Sequence, residues 1–302
     1  MKNLSRRLVL YPPAKVNLIL KIFDLLPKGY HGLWSLMQTI GVTDELTIHV
    51  DDSFVGIRLE CSDRSVSEIT DNLVYRAADV VLRQSSARVG VSMTLKKHIP
   101  VAAGLGGGSS DAAATIMGLN HLLALGWSRS DMAKLGQTLG SDVPFFIEGP
   151  TAIIRGWGEQ IIPKTFHNAR WILLVNPGFP INTGQAYKRL DEGRSEVPLL
   201  SDHLIEFEQA SSLSWEHLSA QLENDFEAVL FRDYPVLADI KKNLVELGAE
   251  SALLSGSGAT MFGVFQDEAR AIQAKEVLVK SSGYRVLLGP TMEQGLLGEK
   301  QQ

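Results

Sequence analysis

Between Pro100 and Asp111 the chain reads Pro100-Val101-Ala102-Ala103-Gly104-Leu105-Gly106-Gly107-Gly108-Ser109-Ser110-Asp111. Gly104 and Gly106 to Gly108 leave almost no side chains over this stretch. Glycine accepts positive φ, so successive N–H groups can turn toward one point. The segment joins a strand-like run, Val91 to Leu95, to an alanine-rich run that lasts to Leu125 before Gly126. Ser109, Ser110 and Asp111 at the start and Gly126 past the end predict a helix there. A strand, a bare loop and a helix N-terminus together place free N–H groups and a positive dipole end where a polyphosphate fits. Ser109 and Ser110 add hydroxyls that can donate hydrogen bonds or meet a magnesium ion. The plainer alternative, a flexible loop before a serine-capped helix, stays open on these residues alone.

Other nucleotide loops do not fit. A Walker loop needs lysine and then Ser or Thr after its last glycine, and a Rossmann loop needs glycine where Ser109 stands. Protein-kinase signatures are absent as well. The net charge of -5 speaks against a general nucleic-acid binder. No run approaches the length of a membrane span. The basic start, Met1 to Arg7, lacks the apolar stretch of a signal peptide. Cys61 is the single cysteine, so no internal disulfide forms, and a reducing cytoplasm is the expected setting.

A length of 302 residues predicts two domains. Leu8 to Tyr11, Val16 to Phe23, Leu33 to Ile40 and Glu45 to Val50 read as strands, with a turn at Pro27-Lys28-Gly29-Tyr30-His31-Gly32. Helices are expected from Asn72 to Gln84, capped by Asp71, and from Ser130 to Leu139. Phe145 to Ile147, Ala152 to Arg155 and Trp171 to Val175 read as strands. The polar stretch Asp191 to Glu216 reads as loops and short helices. Beyond it a helix at Val236 to Leu247, strands at Ser251 to Leu254 and Ala259 to Phe265, a helix at Asp267 to Lys280 and a strand at Tyr284 to Leu288 predict a ferredoxin-like α+β sandwich.

Two residues outside the loop carry possible chemistry. Asp142, in Gly140-Ser141-Asp142-Val143-Pro144, can take the proton of an alcohol if a turn aims it into a cleft, or it can simply cap that turn. Lys15, in an otherwise apolar strand, can offset developing phosphoryl charge, or its stem packs while its amine reaches water. Asn17, two residues on, shares its face.

Taken together, Pro100 to Ala113 resembles the ATP loop of the GHMP kinases, which phosphorylate small-molecule alcohols. The long Gly-Leu-Gly-Gly-Gly-Ser-Ser form resembles the branch of that family whose acceptor carries a cytidine diphosphate group. Pro13-Ala14-Lys15-Val16-Asn17-Leu18, Gly29-Tyr30-His31, Asp71-Asn72-Leu73, Leu139 to Phe146 and Leu254 to Ala259 are similar to further motifs of that branch. The resemblance implies an α+β, two-domain kinase: an S5-like N-terminal domain over residues 1–165, a ferredoxin-like C-terminal domain over 166–302, and the active site between them. It implies Asp142 and Lys15 as catalytic residues. Pro100 to Ser110, with Asn72 and Lys97 beside the adenine, would bind ATP. Asn17, Tyr30, His31, Thr183 and Tyr187 would bind the acceptor, with Tyr30, His31 and Tyr187 around the cytosine and Thr183 near the acceptor; on its own residues Thr183 reads simply as a helix cap. Magnesium would accompany ATP, with Ser110 as its contact. The implied reaction moves the γ-phosphoryl of ATP to a tertiary 2-hydroxyl in the non-mevalonate route to isoprenoid precursors. Partners beyond this small molecule are not expected: neither nucleic acid nor membrane. The rivals are a homoserine or mevalonate type of the same family, or a non-catalytic nucleotide- or RNA-binding module.

Overall fold

Apolar runs near the N-terminus form strands that bury one or both faces. The computed structural model describes residues 6–27, 29–63, 69–197 and 199–296. The basic start from Met1 to Ser5 and the turn residue Lys28 lie outside the described residues. β1 (Arg6–Leu10), β2 (Pro13–Leu25), β3 (His31–Thr43) and β4 (Glu45–Asp51) match the strand readings and extend them. β4 alternates buried and half-buried residues, the pattern of a strand with one wet face. β2 is buried along its first eight residues, so Lys15 and Asn17 lie inside the protein. β5 (Gly56–Cys61), which has no strong apolar run, was not expected as a strand.

A 3₁₀ turn (Ile69–Asp71) leads into α1 (Leu73–Ser85), followed by β6 (Gly90–Lys96). The cap of α1 is Asn72, whose Oδ1 accepts from Val74 N at 2.9 Å; Asp71 closes the preceding turn instead. α2 (Gly107–Leu122) starts two residues earlier than the serines suggest, because Gly106, at φ 67°, takes the cap position. Its alanines and Gly118 let it press against the sheet. A Cβ on Gly118 would lie 2.7 Å from Ile48 Cδ1 and 2.9 Å from Leu10 Cδ1.

α3 (Arg129–Gln137) opens on a capping box between Ser128 and Asp131. The next element corrects a sequence expectation: Phe145 to Ile147 belong to α4 (Val143–Glu148), not to a strand. Pro144 in the first turn presets the helical φ, and a three-residue apolar run does not distinguish helix from strand. β7 (Thr151–Gly156), β8 (Gln160–Pro163), β9 (Thr165–Phe166) and β10 (Trp171–Asn176) follow. α5 (Thr183–Gly193) is capped by Asn182, whose Oδ1 accepts from Gln185 N at 3.0 Å, so Thr183 is the first helical residue and not the cap. α6 (Asp202–Gln209) and β11 (Ser212–Leu213) lie in the stretch Asp191 to Glu216 read as loops and short helices; α7 (Trp215–Leu218) begins at its end, and β12 (Glu223–Asn224) and α8 (Glu227–Asp233) follow beyond it. α9 (Pro235–Glu246), β13 (Ser251–Leu254), β14 (Met261–Phe265), α10 (Glu268–Ser281) and β15 (Arg285–Pro290) agree with the alternation expected of the last third.

One sheet runs β1-β4-β6-β5 and backs onto α1 and α2; a second runs β12-β2-β3-β7-β8. The third runs β13-β14-β10-β15, antiparallel throughout. Counting β10, β13, β14 and β15 as strands one to four gives the spatial order 2-3-1-4 of a ferredoxin-like sandwich. Strand β2 is the hinge of the arrangement. It pairs with β3 and β12, and it carries Lys15 and Asn17 to the point where the glycine loop and the C-terminal sheet meet.

Candidate functional site

The glycine loop is the wall between two clefts. One, of about 330 Å³, is lined by Pro100 to Ser109, Asn72, Lys97, Asp111 and Cys61. The other, of about 990 Å³, holds Lys15, Asn17, Tyr30, His31, Asp142, Thr183 and Tyr187. Ala102, Gly104 and Gly106 line both. Neighbours hold the loop at two points. Lys15 N donates to Leu105 O at 3.0 Å, and Ser255 Oγ donates to Gly104 O at 2.9 Å. Glycine is required most at Gly104, where a Cβ would stand 2.0 Å from Ser255 O, and Gly106 is also confined. Gly106, at φ 67°, leaves no room for a Cβ between Lys15 Cγ and Phe146 Cζ, both 3.0 Å away. The turn at Gly256 to Gly258 joins β13 to β14 and packs directly on the loop, a Cβ on Gly256 lying 3.3 Å from Gly104 O, at the edge of the second cleft.

At the floor of the larger cleft Lys15 and Asp142 meet, with Nζ and Oδ2 3.8 Å apart. Lys15 is 4% exposed, so its amine does not reach bulk water. It donates to Asn17 Oδ1 at 2.6 Å; Asn17 Nδ2 donates to Ser35 Oγ at 2.8 Å, and Ser35 Oγ donates to Ile19 O at 2.8 Å. This chain fixes the amide orientation of Asn17 and holds the ammonium in place. Burial lowers the Lys15 pKa from its usual 10.5, and the Asp142 charge works against that fall. Asp142 occupies the N-cap position of α4, yet its carboxylate makes no cap hydrogen bond. Its side chain is 30% exposed, toward the cleft, so it is open to a ligand.

Aromatic rings close the far side of this cleft. His31 stacks on Tyr187, with ring centres 4.9 Å apart and planes 13° apart. Tyr187 meets Phe226 edge to face at 5.0 Å. Burial, then the Asp142 charge, pushes the Tyr187 hydroxyl up to about 12, so it stays protonated as a donor. Tyr30 is largely exposed and sits 6.1 Å from Trp157, ring centre to ring centre. Thr183 Oγ1 lies 2.9 Å from Ser257 Oγ, joining α5 to the turn between β13 and β14.

In the smaller cleft the residues read as adenine neighbours have other commitments. The Asn72 side chain caps α1. Lys97 is not a free cation: its Nζ pairs with Asp44 and, at 2.6 Å, with Asp111. Asp44 Oδ1 in turn accepts from His98 N and Ile99 N at 2.5 and 2.9 Å. Asp111 Oδ1 is buried without a partner. Burial raises the Asp111 pKa to about 7, against the pull of Lys97, while Asp44 adds to the rise. Because the folded pKa lies above 3.8, Asp111 lends stability that is complete below that pH and is lost as pH climbs to about 7. Asp111→Asn is therefore expected to flatten the pH dependence of the melting temperature between pH 4 and 7; an unchanged slope would contradict this.

Among the described residues no cluster of three or more His, Cys, Asp or Glu could hold a metal on its own. The Ser110 hydroxyl is buried beneath the loop and unpartnered, and Asp142 offers an open carboxylate. Hard oxygen donors of this kind, few in number, suit an ion that arrives bound to phosphates. Ser109 Oγ lies 3.7 Å from where a Cβ on Gly140 would stand, so the second serine faces the loop that carries Asp142.

Sequence reasoning missed Trp157, Asp191, Phe226 and Ser257, all of which line the larger cleft. Ser257 lies within the Leu254 to Ala259 motif but was not singled out; the other three sit in no motif. Asp191 and Trp157 reach the cleft only because α5 and the β7–β8 turn fold over it.

Comparison with known proteins gives concordant matches. GHMP kinases N terminal domain matches residues 72–150, and GHMP kinases C terminal matches residues 198–285. The 4-diphosphocytidyl-2-C-methyl-D-erythritol kinase of Geobacter sulfurreducens is 40% identical over 277 residues, covering 90% of this chain and 95% of that protein. The enzyme of the same name from Syntrophus aciditrophicus is also 40% identical, over 91% of this chain and 95% of its own. The crystal structure of 4-(cytidine 5'-diphospho)-2C-methyl-D-erythritol kinase superposes with a TM-score of 0.78 at 31% identity, over 94% of this chain and 99% of that one. A homoserine kinase from Cytophaga hutchinsonii shares the fold, with a TM-score of 0.72 at 15% identity over 97% of each chain.

Proposed function

The chain belongs to the GHMP kinases, in the family of 4-diphosphocytidyl-2-C-methyl-D-erythritol kinases, and on that footing we propose how its residues carry out the phosphoryl transfer. ATP is the donor. Its phosphates lie along Pro100 to Ser110, with the nucleoside in the smaller cleft. The acceptor occupies the larger cleft, its cytidine diphosphate end against Tyr30, His31 and Tyr187 and its 2-hydroxyl against Asp142. The reaction belongs to the non-mevalonate route to isoprenoid precursors. The observation that carries this reading is the Lys15–Asp142 pair, 3.8 Å apart at the floor of the acceptor cleft, beneath the loop that both clefts share.

Asp142 accepts the proton of the 2-hydroxyl as its oxygen bonds to the γ-phosphorus, and the bond to the β-phosphate oxygen breaks to leave ADP. That alcohol is tertiary and crowded, so Asn17 and Thr183 position it as Asp142 deprotonates it. Lys15, 3.8 Å from Asp142, offsets charge on the transferring group. Magnesium entering with ATP would be held by phosphate oxygens with Ser110, and supplies neutralisation of the β- and γ-phosphate charge. The divide between the N- and C-terminal domains is placed after residue 165. β10 (Trp171–Asn176), the first strand of the third sheet, follows that divide.

Lys15→Met is expected to lower kcat by about 10²-fold. In the wild type, activity falls as pH rises through the lowered Lys15 value, below 10.5, because the ammonium is the working form. Stability moves the other way. In that window the unfolded chain binds the proton that folded Lys15 releases, so the Lys15 contribution makes stability rise with pH. A pH–rate profile whose alkaline limb is unchanged in Lys15→Met removes the role. The reaction itself is tested by ADP release with ATP and magnesium, with and without 4-diphosphocytidyl-2-C-methyl-D-erythritol. Release that depends on this acceptor supports the substrate; release only with homoserine or mevalonate keeps the family and discards it.

A further inference from the structure

The ring pair at the acceptor end of the cleft is held by charged residues outside every motif. Asp191, in the last turn of α5, places Oδ2 3.2 Å from His31 Nε2. Its other oxygen, Oδ1, accepts from Arg194 Nη2 at 3.0 Å. Arg194, just past the end of α5, donates from Nη1 to Ile22 O at 2.9 Å and from Nη2 to Phe23 O at 3.3 Å. Phe23 O also faces His31 Nδ1, at 2.9 Å. The end of β2, the start of β3 and the end of α5 are thus joined through three side chains. Phe23 O and the Asp191 carboxylate are acceptors, so each nitrogen of the His31 ring faces an acceptor. Four residues before Asp191, on the same face of α5, stands Tyr187, stacked on His31. A second tie fixes the helix from behind. Arg189 Nε lies 3.0 Å from Asp233 Oδ2 of α8, and Gly193 packs so closely there that a Cβ would lie 2.7 Å from Val229 Cγ1.

We propose that Asp191 and Arg194 form a clamp that presets the His31–Tyr187 pair for the acceptor's base, making Asp191 a positioning residue for acceptor affinity. The inference rests on the acceptor reading above. Without the clamp the imidazole keeps the Nδ1 contact and the Tyr187 stack but loses its tie at Nε2, so its orientation is less restricted. The base then meets a ring that must be ordered on binding, and that entropy is taken from affinity. The step at phosphorus lies deeper in the cleft, at Lys15 and Asp142, so the clamp acts on acceptor binding and not on turnover.

Calorimetric titration with CMP, followed by steady-state kinetics, tests this. Asp191→Ala is expected to weaken CMP about tenfold and to raise the acceptor KM by a similar factor, with kcat within about twofold and the KM for ATP unchanged. Asp191→Glu should recover part of the loss. Arg194→Ala should add little in the Asp191→Ala background, since the two act through one network. Wild-type CMP binding that Asp191→Ala leaves intact overturns the clamp. So does a loss shared equally by ATP, which marks a general weakening of the fold. Failure of the wild type to bind CMP removes the acceptor reading and this inference with it.

Discussion

Asp142→Ala is expected to lower kcat by about 10²–10⁴-fold while leaving the KM for ATP and the melting temperature close to wild type. The size follows from what the residue does and does not do. A carboxylate acting as a base supplies a proton-transfer contribution of that order. Structurally the group is idle: it stands at the N-cap of α4 without a cap hydrogen bond, and it is partly open to the cleft. Its removal therefore separates chemistry from folding. Lys15 loses the one carboxylate within 4 Å of it among the described ion pairs, but it keeps Asn17 Oδ1 at 2.6 Å. Asp142→Asn is the sharper variant, because it preserves shape and removes only basicity and charge. Single-turnover measurement of ADP formation at saturating acceptor decides the matter. Near-wild-type rates in both variants would assign the proton to another group and leave Asp142 as a binding residue.

The parts of this site that were legible are those in which local chemistry and global position agree. The glycine loop is one, because bare backbone before an alanine-rich helix has few uses. The Lys15–Asn17 face is another: the period of a strand alone puts both side chains on one side, and the hydrogen bond between them follows. The alternation of the last third gave the ferredoxin-like order for the same reason. Where a residue's partner comes from elsewhere in the chain, the sequence was silent or misleading. Lys97 looked like a cation beside a nucleotide, and its two carboxylates arrive from the β3–β4 junction and from α2. Asp71, Ser109 and Thr183 each looked like a cap, and in each case a neighbour took the position: Asn72 one residue later, Gly106 three earlier and Asn182 one earlier. A cap is chosen by the φ and ψ of the incoming chain, which composition does not state. Asp191 and Trp157 were invisible, since only the docking of α5 and of the β7–β8 turn brings them to the cleft.

Gly104→Ala is expected to cost about 2–5 kcal/mol of stability and to raise the KM for ATP, both through a single methyl group. Gly104 has φ 78°, which a side chain resists, and a Cβ there would stand 2.0 Å from Ser255 O. The contact is backbone on backbone, so no flexible side chain can move aside. Either the loop shifts or the turn between β13 and β14 does, and each breaks the bond from Ser255 Oγ to Gly104 O. That bond ties the phosphate loop to the C-terminal sheet, and an ångström of drift in a reacting group can cost about 10²-fold in rate. Gly126 supplies the control. It has a similar φ of 70° but nothing within 4 Å of its would-be Cβ, so Gly126→Ala bears only the conformational cost, about 1–2 kcal/mol. Thermal unfolding and ATP titration of the two variants separate strain from clash. If Gly104→Ala loses no more stability than Gly126→Ala and binds ATP as the wild type does, the loop is not held by the C-terminal turn, and the site must be assembled by the nucleotide itself.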